Sequence, residues 1–231
     1  MQIDKRYCGP PTSANGGYAC GVVASLVDGD AEVTLLAPPP LDQPLVLERV
    51  DGGAQLRAGE QIIATAAPTT VDLAPPPPVS FAEAERATQR YPWAKGHPYP
   101  TCFGCGPERA AGDGLRIFPG AVEGRPIAAA PFVPDASLVG DDGRVRPEIV
   151  WAALDCPSWF GMYCFDPDWK EMVLLGRLAA HIVERPRVGD RCVAEGWSLG
   201  RQGRKIHCGS ALVSETGALL AIARATWIAL K

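Results

Sequence analysis

The residues able to do chemistry fall in a few short stretches. Asn15-Gly16-Gly17-Tyr18 opens a run of small residues that predicts a helix over 16–27. A helix N-terminus presents unsatisfied N–H groups carrying partial positive charge, and glycines let an oxygen approach them closely. The same stretch also reads as the cap and lead-in turn of an ordinary helix. Asp155 is the second candidate. It follows the apolar run Ile149-Val150-Trp151-Ala152-Ala153-Leu154, and burial there raises a carboxyl pKa towards the range of a working base or nucleophile. Its alternative role is to cap a turn restarted at Pro157, where the helix is expected to break. Glu148, Trp151 and Ser158 share its face at helical spacing. Ser158 can orient the carboxylate or a water, Trp151 can line a pocket, and Glu148 is a reserve acid or a dipole complement.

Two further stretches carry reactive groups. Cys102 and Cys105 have half the spacing of a zinc ribbon, with no second Cys-x-x-Cys in the chain. His97 is near the pair, but one more candidate does not complete a site, so a tight turn with two thiols and no metal is expected. Gly200-Arg201-Gln202-Gly203-Arg204-Lys205 sets three cations among glycines between two strand candidates. Such a tip suits phosphate groups, and equally suits solvent. No Gly-x-Ser-x-Gly elbow or phosphate-binding glycine loop is present, which disfavours serine hydrolases and nucleotide triphosphatases.

The elements that must position these groups follow from composition. The chain has 231 residues, 47% hydrophobic and 21% charged, an ordinary balance for a globular protein with a real core. A net charge of −4 without a Lys/Arg-rich run argues against a nucleic-acid partner. No apolar stretch is long enough to span a membrane. The start, Met1-Gln2-Ile3-Asp4-Lys5-Arg6, lacks an apolar signal core, so a cytoplasmic location is expected. The eight cysteines are accordingly read as mostly reduced thiols, with Cys20, Cys164, Cys192 and Cys208 as small buried hydrophobes. With 25 glycines and 23 prolines, many turns and short strands are expected rather than a helical bundle.

The chain divides at Ala74-Pro75-Pro76-Pro77-Pro78, since successive prolines favour an extended spacer. We expect one half over 1–73, a linker over 74–100 and a second half over 101–231. Ser80 and Glu83 have capping-box spacing, which predicts a short helix over 80–89. Each half reads as a helix amid strands. In the first, strands are expected at 32–37, 45–50, 54–58 and 61–66. In the second, 115–118 and 127–132 precede a helix over 147–156, and 174–183, 191–197, 205–213 and 218–230 follow it. Hairpin turns at Asp51-Gly52-Gly53 and Ser214-Glu215-Thr216-Gly217 support this order. The fold class is α+β: two antiparallel sheets, each around a central helix, joined edge to edge.

Thr101-Cys102-Phe103-Gly104-Cys105-Gly106-Pro107, leading to Gly114-Leu115-Arg116-Ile117, resembles the opening of hotdog-fold thioesterases related to the phenylacetate-pathway and 4-hydroxybenzoyl-CoA enzymes. In that family a His-Gly-Gly motif opens the central helix and an acid follows about seven positions beyond the second glycine. The halves depart from this pattern in opposite directions. The first keeps the glycines but has Ala24 at the acid's place; the second keeps the acid, Asp155, but has Arg146-Pro147-Glu148 in place of His-Gly-Gly.

The resemblance implies a double hotdog with one composite site, acting on an acyl-CoA or other thioester. Gly16 and Gly17 would form the oxyanion hole, Asp155 would be base or nucleophile, and Ser158 its helper. Asn15, Tyr18 and Trp151 would contact substrate, and Arg204 and Lys205 the phosphates of coenzyme A. No cofactor is implied beyond coenzyme A as part of the substrate, and double-hotdog units are expected to associate as homo-oligomers. The alternatives are another reaction on this scaffold, hydration or acyl transfer, and a non-catalytic protein that binds acyl-CoA or another small ligand. Hydration usually needs a catalytic His on the central helix, and neither expected helix contains one.

Overall fold

The computed structural model describes residues 1–166 and 168–230. Among the described residues, runs of β-branched residues, Leu and Ala separated by Gly- and Pro-rich turns form ten strands, and three α-helices stand among them as elements of the chain. In chain order these are α1 (Gly16–Ala24), β1 (Ala31–Leu35), β2 (Val46–Val50), β3 (Gly53–Ala58) and β4 (Gln61–Pro68), then α2 (Phe81–Thr88). The second half adds β5 (Gly120–Ala121), β6 (Ile127–Phe132), α3 (Pro147–Tyr163), β7 (Val173–Ile182), β8 (Cys192–Gln202), β9 (Lys205–Ser214) and β10 (Leu219–Ala229). Gly52 turns the β2–β3 hairpin at φ 78°, a backbone state that residues with a Cβ rarely adopt.

All ten strands join one antiparallel sheet in the order β2-β3-β4-β1-β7-β10-β9-β8-β6-β5. The expected edge-to-edge join is the β1–β7 pair, which runs from Ala31 opposite Ala180 to Thr34 opposite Arg177. Each of these strands thereby satisfies what would otherwise be an open edge of its partner. On one face of the sheet, α1 packs on β1, β3 and β4, and α3 packs on β6, β8, β9 and β10.

Two glycines let the helices touch. A Cβ on Gly17 would lie 2.5 Å from the Trp151 carbonyl oxygen and 2.6 Å from Asp155 Cβ; one on Gly21 would lie 2.5 Å from Glu148 Cα. The opposite face of the sheet is covered by α2, whose capping box at Ser80 and Glu83 is formed as its spacing predicts. Its Phe81, Ala84 and Ala87 pack with Ile127, Val193 and Trp197. None of the described helices is long and apolar enough to cross a membrane.

Three local expectations are corrected. Residues 115–118 are not a strand: Leu115 N–H donates to Phe103 O and Ile117 N–H to Gly104 O, and Arg116 sits at φ 53°. The backbone is therefore drawn to the cysteine turn instead of the sheet. The first helix ends at Ala24, where Ser25 caps it and returns its hydroxyl to the Val22 carbonyl. The second helix does not break at Pro157 but continues to Tyr163. Proline costs this helix one backbone donor. Nearby carbonyls gain hydroxyl donors, Ser210 to Leu154 O at 2.7 Å and Ser158 to Asp155 O at 2.6 Å.

Candidate active site

Asp155 stands in the middle of α3, where the helix faces the N-terminus of α1. Its side chain is buried, at 2% relative exposure. Oδ2 accepts the Gly17 backbone N–H at 2.9 Å and the Asn15 Nδ2–H at 2.8 Å. Asn15 also caps α1, its Oδ1 accepting the Tyr18 N–H at 2.9 Å. One side chain thus fixes both the helix start and the carboxylate. Oδ1 of Asp155 is buried and has no hydrogen-bond partner among the described residues. Burial pushes the carboxyl up to about 7, against the two hydrogen bonds, which pull it down.

The site opens on a cavity of about 290 Å³. Leu35, Leu175, Trp93, Trp159, Phe160 and Trp227 supply apolar wall, while Asn15, Gly16, Asp155 and His97 bring polar groups to it. Such an apolar trough with a few convergent polar groups is the usual form of a small-molecule site. Sequence reasoning did not find His97, Trp93, Trp159 or Trp227 as wall residues, because they come from the linker, from α3 beyond Pro157 and from β10. Pro157 read as a helix end, which hid the contribution of Trp159.

The other candidates are distributed as follows. Gly16 lines the cavity, and its N–H has no protein acceptor among the described residues. Gly17 does not offer a second free donor, because its N–H is held by Asp155. Tyr18 is stacked on Tyr7 with ring centroids 4.0 Å apart and is not in the cavity wall. Trp151 is likewise absent from the wall; it packs on α1, its Cβ 2.9 Å from where a Gly21 Cβ would stand. Ser158 does not face the carboxylate: its hydroxyl donates to the Asp155 backbone carbonyl and accepts the Trp227 indole N–H at 2.8 Å. Glu148 is ion-paired with Arg146 at 3.0 Å.

No residue of the basic tip lines the cavity, but its strand pairs with one that does. Arg204 Nε donates to the Ala229 carbonyl at 2.9 Å, and Ile228 and Leu230 on either side of Ala229 line the cavity. Lys205 pairs in register with Ile228. Arg201 is otherwise engaged, forming a two-pronged pair with Glu171 at 2.9 and 3.0 Å and lying over the Trp169 ring.

No family model and no curated protein matches the chain. Solved structures do. A conserved protein of unknown function with a hotdog fold from Alicyclobacillus acidocaldarius matches all of this chain and 92% of its own, at TM-score 0.64 and 12% identity. The tesB protein of Mycobacterium avium subspecies paratuberculosis matches 94% of this chain and 88% of its own, at TM-score 0.59 and 13% identity. A hypothetical thioesterase protein of Streptococcus pneumoniae, crystallised with coenzyme A, covers 45% of this chain at TM-score 0.41. These similarities show the fold, and the fold of this chain is the double hotdog.

Proposed function

We propose that the protein is an acyl-CoA thioesterase whose single site is built from both halves. The observation that carries this reading is the Asp155 carboxylate, tethered at Oδ2 by Asn15 and Gly17 and unpartnered at Oδ1, in the wall of an apolar cavity. The Gly16 N–H at the α1 terminus is the donor for the developing oxyanion. One such donor contributes roughly 3–4 kcal/mol in acyl-transfer enzymes. Oδ1 of Asp155 takes a proton from water as the water oxygen bonds to the carbonyl carbon. The C–S bond then breaks, and the proton passes to the departing thiolate, leaving a carboxylic acid and a free thiol. Direct attack by Oδ1, giving an anhydride that water opens, uses the same geometry. The apolar wall takes the acyl group, and Arg204 and Lys205 at the rim take the coenzyme A phosphates.

A non-catalytic ligand-binding protein is the second reading. It is favoured by the Gly17–Asp155 hydrogen bond, which also serves as a structural tie between α1 and α3. Thiol release from short, long and aromatic acyl-CoAs, with Asp155→Asn beside the wild type, separates the two. The thioesterase reading expects turnover that falls at least about a hundredfold in the mutant while acyl-CoA binding persists. Binding without turnover in the wild type establishes the other.

A further inference from the structure

Cys102 and Cys105, expected to form a turn with two thiols, have a third sulfur beside them. Cys156, 54 residues after Cys102, brings its Sγ to 3.9 Å from Cys102 Sγ, and the three sulfurs all lie within 4.8 Å of one another. A tetrahedral zinc with Zn–S bonds of about 2.3 Å places its sulfurs about 3.8 Å apart. The three sulfurs come from two separate segments, the turn and α3, and the chain makes room for them. At Gly104, between the two turn cysteines, a Cβ would lie 2.7 Å from Cys156 Sγ. At Gly106 it would lie 2.5 Å from both Cys102 N and Pro100 O, where the turn folds back and Gly106 N–H donates to Cys102 O at 2.9 Å.

We propose that Cys102, Cys105 and Cys156 are the ligands of a thiophilic divalent cation, Zn²⁺, in the wall of the cavity. The proposal does not depend on the thioesterase reading. His97 acts on this site as a positioning residue. Its Nδ1 accepts the Tyr99 N–H at 2.8 Å, so the neutral ring carries its proton on Nε2, which lies 3.4 Å from Cys105 Sγ. It donates to that thiolate and is not a fourth ligand. The Tyr91 hydroxyl donates to the Cys105 carbonyl at 2.8 Å and steadies the same turn. All three cysteines line the cavity, so the fourth tetrahedral position opens on it and takes water. A disulfide would join two of the three sulfurs and leave the third, with its glycine clearance and its histidine, without a role. The ion would pin the turn to α3 one residue from Asp155.

The test is metal analysis of the full chain purified reduced and without chelators, then loaded anaerobically with Zn²⁺ or Co²⁺. The expected results are one zinc per chain and strong thiolate-to-cobalt charge-transfer absorption. X-ray absorption should show three sulfur neighbours and one oxygen. Cys105→Ser and Cys156→Ser should each lose the metal, Cys208→Ser should keep it, and His97→Phe should weaken zinc binding about 10–100-fold. If the serine variants fail to fold, the wild-type stoichiometry and cobalt spectrum decide. A folded, reduced wild type that stays metal-free, stoichiometric zinc in folded Cys156→Ser, or a Cys102–Cys156 disulfide in the purified chain would each overturn the assignment.

Discussion

The Gly17 backbone N–H and the Asp155 carboxylate meet at 2.9 Å although 138 residues separate them. This hydrogen bond joins the helix of one half to the helix of the other. It occupies the Gly17 donor and leaves Gly16, among the described residues, with a free N–H at the cavity. The same contact explains why Gly17 bears on packing as much as on chemistry.

Gly17→Ala should be costly. Its Cβ would meet the Trp151 carbonyl oxygen at 2.5 Å, and backbone on a buried helix cannot turn aside as a flexible side chain does. The helices must separate, at a cost of about 1–3 kcal/mol, with the Asp155 hydrogen bond lengthened. Urea unfolding measures the loss. A variant as stable as the wild type would show that the helix contact is looser than described.

Ser158→Ala should affect stability more than turnover. The hydroxyl accepts the Trp227 indole N–H, and both residues are buried. Its removal orphans that N–H at about 1–3 kcal/mol, while the Asp155 side chain keeps both of its donors. The expected result is a lower unfolding midpoint with kcat within a few-fold of wild type. A large kcat loss in protein of unchanged stability would restore Ser158 to the chemistry.

Arg204→Ala combined with Lys205→Ala should raise KM for coenzyme A thioesters at low salt and leave kcat near the wild-type value. The effect should shrink as salt screens the rim charges. Arg201→Ala is the comparison, because its guanidinium is already committed to Glu171. Equal effects from both variants would remove the rim assignment.

Glu195 should make stability depend on pH. It lies on the α2 side of the sheet, fully buried. Its Oε1 accepts the Val79 N–H at 2.7 Å, and Oε2 has no partner among the described residues. Burial raises its pKa from 4.5 to about 7. The fold therefore favours the protonated form. Its stabilisation is full below the unfolded pKa and is lost as pH rises through about 7, on the order of 3 kcal/mol in all. Urea unfolding across pH 4.5–8 should show a shallower decline in Glu195→Gln than in the wild type. Parallel profiles would mean that Glu195 is not protonated in the fold.

Much of the architecture was legible in the chain. The α2 capping box, the hairpin glycines and the apolar strand runs act locally, so their residue types are enough to locate them. The site was legible in part. Asn15, Gly16 and Asp155, singled out in separate parts of the chain, are brought together at the cavity. Trp151 and Ser158 lie away from the carboxylate because sharing a helix with Asp155 does not say which surface a side chain meets, and Tyr18, beside the α1 glycines, turns to stack on Tyr7 instead. The strand expected at 115–118 failed for a related reason. Its sequence has strand character, but its N–H groups donate to the Phe103 and Gly104 carbonyls on the cysteine turn.

The sequence by itself determined the α+β class, the capped helix that follows the Pro-rich stretch, and the placing of the Gly16-Gly17 pair and Asp155 far apart in the chain. Only the tertiary structure decided that Asp155 spends one carboxylate oxygen on Asn15 and Gly17, and that Cys156 completes a trio of sulfurs with Cys102 and Cys105. The reason is physical. Propensity, capping and turn geometry act between neighbours in the chain, whereas carboxylate tethers and sulfur clusters are set by which helix faces come together when the core closes.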